Sequence, residues 1–360
     1  MEKTKLSYCF FLVVLLGITS CRTTVNMSSI ELEILKPAIF AMPEEIDTIA
    51  IFNRDFYQSD TIAFKYVNGD NHKATIDSSI HYSIYANECV EALSHLLENE
   101  GYFMKVMNYK DSLNGLFSKD SIINYPELHK KLGADAFVFL DYFKLKDTYA
   151  ENQSGFTFFM SSVKDKFPEF QNSTKVASIV TDLLWTITFK GDTSIYILKQ
   201  PESLYYGNSA YPTMFGNVLN HKALLKNTAE YLGKSFATKI IPSWEKVNRT
   251  YYRSNNDTML RAEQYFLVND WMKAAEIYQK ETTNKNRNIA AKATYNMALI
   301  CEMEGQLDAA TDWLDRSKSV YKNENQRHTR NCTQYSAILE ERKEEIEFLG
   351  KQVRHSADKP

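Results

Sequence analysis

Leu132-Gly133-Ala134-Asp135-Ala136-Phe137-Val138-Phe139-Leu140-Asp141-Tyr142 is the stretch on which the fold turns. From Ala136 to Leu140 the side chains are apolar at every position and do not alternate, the mark of a strand buried on both faces, as in a parallel sheet covered by helices. Gly133 closes a short helix that Pro126 opens as a favoured first-turn residue. Further upstream, Ile46-Asp47-Thr48-Ile49-Ala50-Ile51-Phe52 is a second β-branched apolar run. A helix is expected from Tyr82 to Asn99, with Tyr85, Ala86, Cys89, Leu93, Leu96 and Leu97 on one stripe. Gly101 ends it, and Tyr102 to Tyr109 reads as another strand. Strand, helix, strand, helix, strand in this order implies right-handed crossovers and a parallel core.

Working outward, Val176 to Phe189 and Thr193 to Leu198 flank Lys190-Gly191-Asp192 and read as an antiparallel hairpin, so the sheet is mixed. A helix from Lys222 to Ile241 follows, stopped by Pro242. Between Asp147 and Lys175 no period is visible, although Phe156, Phe158, Phe159, Phe167 and Phe170 fall there. Such a length is either a lid or contact loop or a packing insertion.

After Arg253-Ser254-Asn255-Asn256-Asp257 the chain repeats itself. Ala262, Tyr265, Asn269, Trp271, Ala274 and Tyr278 recur 36 residues on as Ala298, Cys301, Gly305, Leu307, Ala310 and Leu314. This resembles the tetratricopeptide repeat, whose period is about 34 residues. The two units lack the family's terminal proline. Two such units leave an apolar face open, and the amphipathic stretch carrying Tyr335, Ile338, Leu339, Ile346, Leu349 and Val353 is expected to cap it. The resemblance implies a concave groove at Met259, Glu263, Phe266 and Leu267 in unit one and at Lys292, Tyr295, Leu299, Glu302 and Met303 in unit two. Those residues either dock a protein partner or pack against the cap or the first domain.

The leader has Lys3 and Lys5, an apolar run from Tyr8 to Leu16 and then Ile18-Thr19-Ser20-Cys21. Such a run is too short for a transmembrane helix, which needs about 20 residues, and has the order of a signal peptide. Leu16 to Cys21 resembles the lipobox of bacterial lipoproteins, which implies cleavage before Cys21 and acylation of it. Of five cysteines, Cys9 leaves with the leader, so Cys89, Cys301 and Cys332 remain, too few for a closed disulfide framework. A Cys301 to Cys332 bridge is open in an oxidising envelope, though no spacing demands it.

The expected division is 1–20 signal peptide, 21–44 tether, 45–245 α/β domain, 246–256 linker, 257–322 two repeats, and 323–360 capping helix and tail. With a formal net charge of −3 nothing points to nucleic acid. Neither a phosphate loop, nor a His-Glu-x-x-His, nor a Gly-x-Ser-x-Gly elbow, nor a Cys-x-x-Cys is present. His72, His81, His95, His129, His221, His328 and His355 read as scattered, none with a His or Cys three or four residues away on one helix face, so no metal site is expected. Asn68-Gly69-Asp70-Asn71-His72 reads as a solvated turn before a cation site.

Ile46 to Phe52, Leu132 to Asp135 with the strand after them, and the hairpin resemble the envelope lipoprotein domains of the curli-export and Tol type. The whole chain resembles a family of bacterial lipoproteins, which implies a place and a shape. The expectation is therefore an α/β domain followed by an all-α repeat domain, anchored by lipid on Cys21 at the outer membrane facing the periplasm, without cofactor or catalysis. Its expected role is that of a protein-binding or assembly scaffold. A structural subunit of an oligomeric export complex is the alternative, with homo-oligomers open, and an enzyme with a site assembled from distant residues comes third.

Overall fold

The computed structural model describes residues 27–54, 61–63, 65–67, 76–109, 123–151, 175–207, 221–321 and 324–352. They form two compact units, one of Pro37–Ser243 with residues 349–352 and one of residues 27–36 with Trp244–Phe348. β1 (Met27–Lys36) belongs to the second. The first, the sheet unit, has β2 (Thr48–Asn53), β3 (Thr61–Ala63), β4 (Lys65–Val67), β5 (Ile76–His81), α1 (Tyr82–Glu100), β6 (Lys105–Asn108), α2 (Tyr125–Leu132), β7 (Ala136–Glu151), β8 (Lys175–Phe189), β9 (Tyr196–Gly207) and α3 (His221–Ile240). A six-stranded sheet runs β6-β2-β7-β8-β9, with β4 paired to the far part of β7. β2 is parallel to β6 and β7, whereas β8 is antiparallel to both of its neighbours, β7 and β9. The N-terminal part of the chain is thus a mixed sheet with helices.

The double-sided burial expected of the apolar runs is present. Ile49, Ile51, Val138 and Leu140 pack with the stripes of α1 and α3 on one face, while Ala50, Phe52, Phe137 and Phe139 meet Leu128 of α2 on the other. A bulge between Leu140 and Tyr142 shifts the register. Its extra residue returns Phe143 and Leu145 to the face of Leu140, because one inserted residue reverses the side-chain parity of everything beyond it. Asn124 caps α2 by accepting from the Glu127 amide, and Gly133, at φ 70°, closes it. Pro201 lies in β9, which among the described strands pairs with β8 alone, and a missing N–H is tolerated on such a strand.

The helical unit pairs β1 with β10 (Ser243–Tyr252) as a two-stranded ribbon. There follow α4 (Asp257–Leu267), α5 (Trp271–Glu281), α6 (Arg287–Met303), α7 (Leu307–Val320) and α8 (Gln326–Gln352). Ala262, Ala274, Ala298 and Ala310 are fully buried between neighbouring helices. The turn from α4 into α5 passes through Asn269 at φ 63°, a left-handed position that Asn tolerates better than most residues.

Several expected boundaries are corrected. Residues 27–36, expected to be tether, are a strand, because Ile30, Leu32 and Ile34 alternate with Glu31 and Glu33 and turn their apolar side into the helical core. Residues 246–252, expected to be linker, belong to β10, with Tyr251 and Tyr252 in the same core. The linker is confined to residues 253–256. A module of residues 253–360 taken alone would omit both strands. β7 runs on to Glu151 and β8 begins at Lys175, and the aromatic segment between them lies outside the described residues, as do the leader with Cys21 and the turn 68–72.

Gly233 of α3 lies against the backbone of α1, where a Cβ would overlap the Cys89 carbonyl. Gly233→Ala should therefore lower stability by about 1–3 kcal/mol, although Ala in an ordinary helix gains about 1 kcal/mol over Gly. The urea midpoint checks this, and an unchanged or raised midpoint would show that the helices do not approach so closely.

Candidate functional site

The six groove residues are brought together by α4 and α6, and they are covered. Met259, Glu263, Phe266, Tyr295, Leu299 and Glu302 are each 7% exposed or less. Tyr251 tilts onto Phe266 with ring centres 5.1 Å apart and donates its hydroxyl to Glu263 at 3.0 Å. Tyr252 sits edge-on to Tyr295 at 4.9 Å. Asn296 accepts the Tyr252 amide at 2.8 Å and donates back to its carbonyl at 2.8 Å, holding β10 as a neighbouring strand would. The expected groove is thus corrected to a core filled by the chain's own strand, with Leu267 and Lys292 at its margin. The helical sequence pattern does not announce this, because β10 lies ahead of α4.

The polar centre of this core is Glu302. Arg249 of β10 donates Nε to both of its oxygens at 2.9 and 3.0 Å and Nη2 to Oε1 at 2.8 Å, and Tyr335 of α8 donates to Oε2 at 2.5 Å. Burial opposes the Arg249 charge, but the Glu302 hydrogen bonds and charge more than offset it and hold the guanidinium above its ordinary range. Burial, reinforced by Glu302, raises the Tyr335 phenol. Each charge is matched, which suits a structural role.

A second cluster corrects the reading of the histidines. His328 and Cys332 are four residues apart on α8 and in contact, with Nε2 to Sγ at 3.5 Å. His328 also meets Tyr252 Oη at 3.0 Å through Nδ1 and Ser317 Oγ at 2.9 Å through Nε2. Burial pushes the Cys332 thiol up to about 11 and lowers the His328 imidazole. Both are neutral near pH 7, so the pair is not an activated thiolate. Among the described residues no three His, Cys, Asp or Glu side chains are placed to hold a metal. Cys301 and Cys332 are free, and both are buried. His95 is exposed beside Glu91 and Glu98, and His129 is buried against Phe137.

In the sheet unit, Arg54 at the end of β2 donates Nε to Asp141 at 2.6 Å and Nη1 to the Tyr125 hydroxyl at 3.2 Å, with its guanidinium 4.5 Å from the Phe139 ring centre. Thr186 donates to the other Asp141 oxygen. Ligands of open α/β sheets bind at this carboxyl end of the strands, but here these donors are spent tying β2 to the bulge. A charged furrow of about 590 Å³ between α1 and α3 is lined by Glu88, Glu91, Lys226 and Lys234, with Lys226 already 3.4 Å from Glu88.

The candidate site among the described residues is an open groove of about 500 Å³ in the helical unit. One side is β1 from Glu31 to Leu35, and the others carry Trp244, Trp271, Met303, Leu307, Arg342 and Ile346. Trp244 is 67% exposed, and Trp271 stands edge-on to Phe266 at 5.1 Å. The groove is apolar with a few charges at its rim, a surface for holding a side chain or a peptide.

Burial lowers both His328 and His129 below the ordinary 6.5. An unfolded chain takes up those protons near pH 6.5 while the folded chain does not, so stability is full above that value and falls as pH drops toward the folded values. Thermal melts from pH 7.5 to 5 should show this fall, and His328→Gln should flatten it. An equally steep fall in the variant would show that His328 is not a source.

A family model described as a domain of unknown function (DUF8603) matches residues 46–252, and a second, also a domain of unknown function (DUF6340), matches residues 260–341. No curated protein matches the chain. The first match covers the sheet unit from β2 onward together with β10, more than half of the sequence, and the chain therefore belongs to the DUF8603 domain family.

Proposed function

We propose that the chain is a non-catalytic lipoprotein of the bacterial cell envelope, held by lipid on Cys21 at the outer membrane and facing the periplasm, whose tetratricopeptide-like helical unit docks a protein partner. The open groove carries the docking reading. It exposes Trp244 beside Trp271 and Met303, and exposed aromatic and Met side chains in a concavity are the groups that interfaces bury. The buried alanines at Ala262, Ala274, Ala298 and Ala310 support the repeat reading, since small residues there let paired helices approach. The leader supports the anchor. Acyl chains contribute about 0.8 kcal/mol per buried methylene, so a multiply acylated terminus stays at the bilayer. The titratable clusters described above are neutral or paired with one another, which supports a binding role over a catalytic one.

A second reading, a subunit of an oligomeric envelope complex, is favoured by β9. Among the described strands this twelve-residue strand is the last of its sheet, with Ile197 exposed, and sheet edges accept further strands.

Two measurements test the proposal. Cys21→Ala should lose lipid labelling and move from the membrane to the soluble fraction, and undiminished labelling would remove the anchor. A photo-cross-linking amino acid in place of Trp244, irradiated in intact cells, should give a discrete protein adduct, and its failure to do so would remove the docking site.

A further inference from the structure

Five consecutive residues of β1, Glu31 to Leu35, border the groove. Consecutive side chains of a strand point to opposite faces, and here Leu32 and Ile34 enter the helical core while Glu31 and Glu33 are exposed. A groove that touches all five runs along the main-chain edge of the strand. Among the described strands β1 pairs with β10 alone, so this is the edge that β10 leaves unused. Arg342 already donates to the Leu35 carbonyl at 2.6 Å at one end of it. The edge therefore accepts donors from outside the ribbon.

Charge selects the occupant. Lys246 lies 2.8 Å from Glu31 and also faces Glu33, so two carboxylates share one ammonium. Trp244 and Lys246 are both exposed positions two apart on β10, which sets the indole on the same face as these charges. A second copy of β1 laid antiparallel about Leu32 would put Glu31 opposite Glu33, and like charges directly opposite destabilise a ladder. A basic strand would gain at the same positions, with Trp244 as a cation–π platform.

We propose that the open edge of β1 takes up an extended segment of a partner protein as a third strand, with Lys or Arg at alternate positions over Glu31 and Glu33 and apolar side chains between them packed on Trp271, Met303 and Leu307. This rests on the docking reading above and names the chemistry of the partner. Main-chain pairing supplies the affinity and the alternation supplies the selectivity.

The test uses the full chain in detergent and three synthetic peptides, one alternating Lys and Val, its counterpart with Glu for Lys, and the Lys peptide with alternate amides N-methylated. Titration followed by tryptophan fluorescence and calorimetry should show the Lys peptide binding about tenfold or more tighter than the Glu peptide, with the margin narrowing as salt screens the charges. N-methylation should weaken binding by about tenfold, and the double variant Glu31→Lys, Glu33→Lys should invert the preference. Glu33→Lys alone, which keeps the Lys246 to Glu31 pair, serves if the double variant does not fold. Equal binding of both charges, indifference to N-methylation, or no binding of either peptide would each overturn strand addition. A cross-linked partner at Trp244 alongside any of these would leave the docking reading standing, whereas loss of both results removes the two together.

Discussion

Arg249 and Glu302 meet inside the helical unit, and the position of everything around the ribbon depends on that pair. Taking two charges out of water costs several kcal/mol per ion, and the cost is offset only when geometry is good and the remaining lone pairs are filled. Here the guanidinium bridges both carboxylate oxygens and the Tyr335 hydroxyl takes a further site. Hydrophobic burial alone would let β10 slide along the helices, since it has no directional preference. A bidentate ion pair does not slide. Asn296 adds a second fixed point through the Tyr252 main chain. β1 inherits its place from β10, its partner in the ribbon, and the groove inherits its wall from β1.

The sheet unit uses a polar tie of the same kind at a different place. The extra residue at Asp141 changes which way β7 presents its side chains, and Arg54 and Thr186 hold the carboxylate that the bulge turns out. The family match ends at Tyr252, beyond the sheet unit and at the last residue of β10. A stretch of sequence recognised as one domain therefore finishes in a strand whose side chains pack among helices matched by the other.

How far the sequence announced this differs by element. Runs such as Ala136 to Leu140 and the stripes of α1 and α3 were plain because both faces of the sheet are buried and the helices are amphipathic. The ribbon was not. In β1 the alternation of Ile30, Leu32 and Ile34 with Glu31 and Glu33 is short, and Pro37 and Pro43 nearby draw the eye to a tether. In β10 only Val247, Arg249 and Tyr251 mark an inward face, and one of the three is charged. A buried arginine carries no hydrophobic signal, so the strand read as linker. The groove positions are legible in the sequence as neighbours, but whether they dock a partner or pack is not, since a repeat pattern states which residues face inward and is silent on what covers them. His328 and Cys332 stand four apart in the sequence, the spacing that sets both on one helix face and brings them into contact.

The order of elements along the chain carries a consequence for synthesis. β1 ends at Lys36 and its pairing partner does not begin until Ser243, so at about 5–20 residues per second the first strand waits for roughly 10–40 s before the second exists. Throughout that interval Ile30, Leu32 and Ile34 have no native core to enter, and the sheet unit, encoded in between except for residues 349–352, is made before the helices that will enclose them. The nascent chain thus carries an unsatisfied apolar strand at its leading end for most of its elongation. A holding factor that shields such a strand, or export that delays all folding until the chain is finished, would remove the hazard.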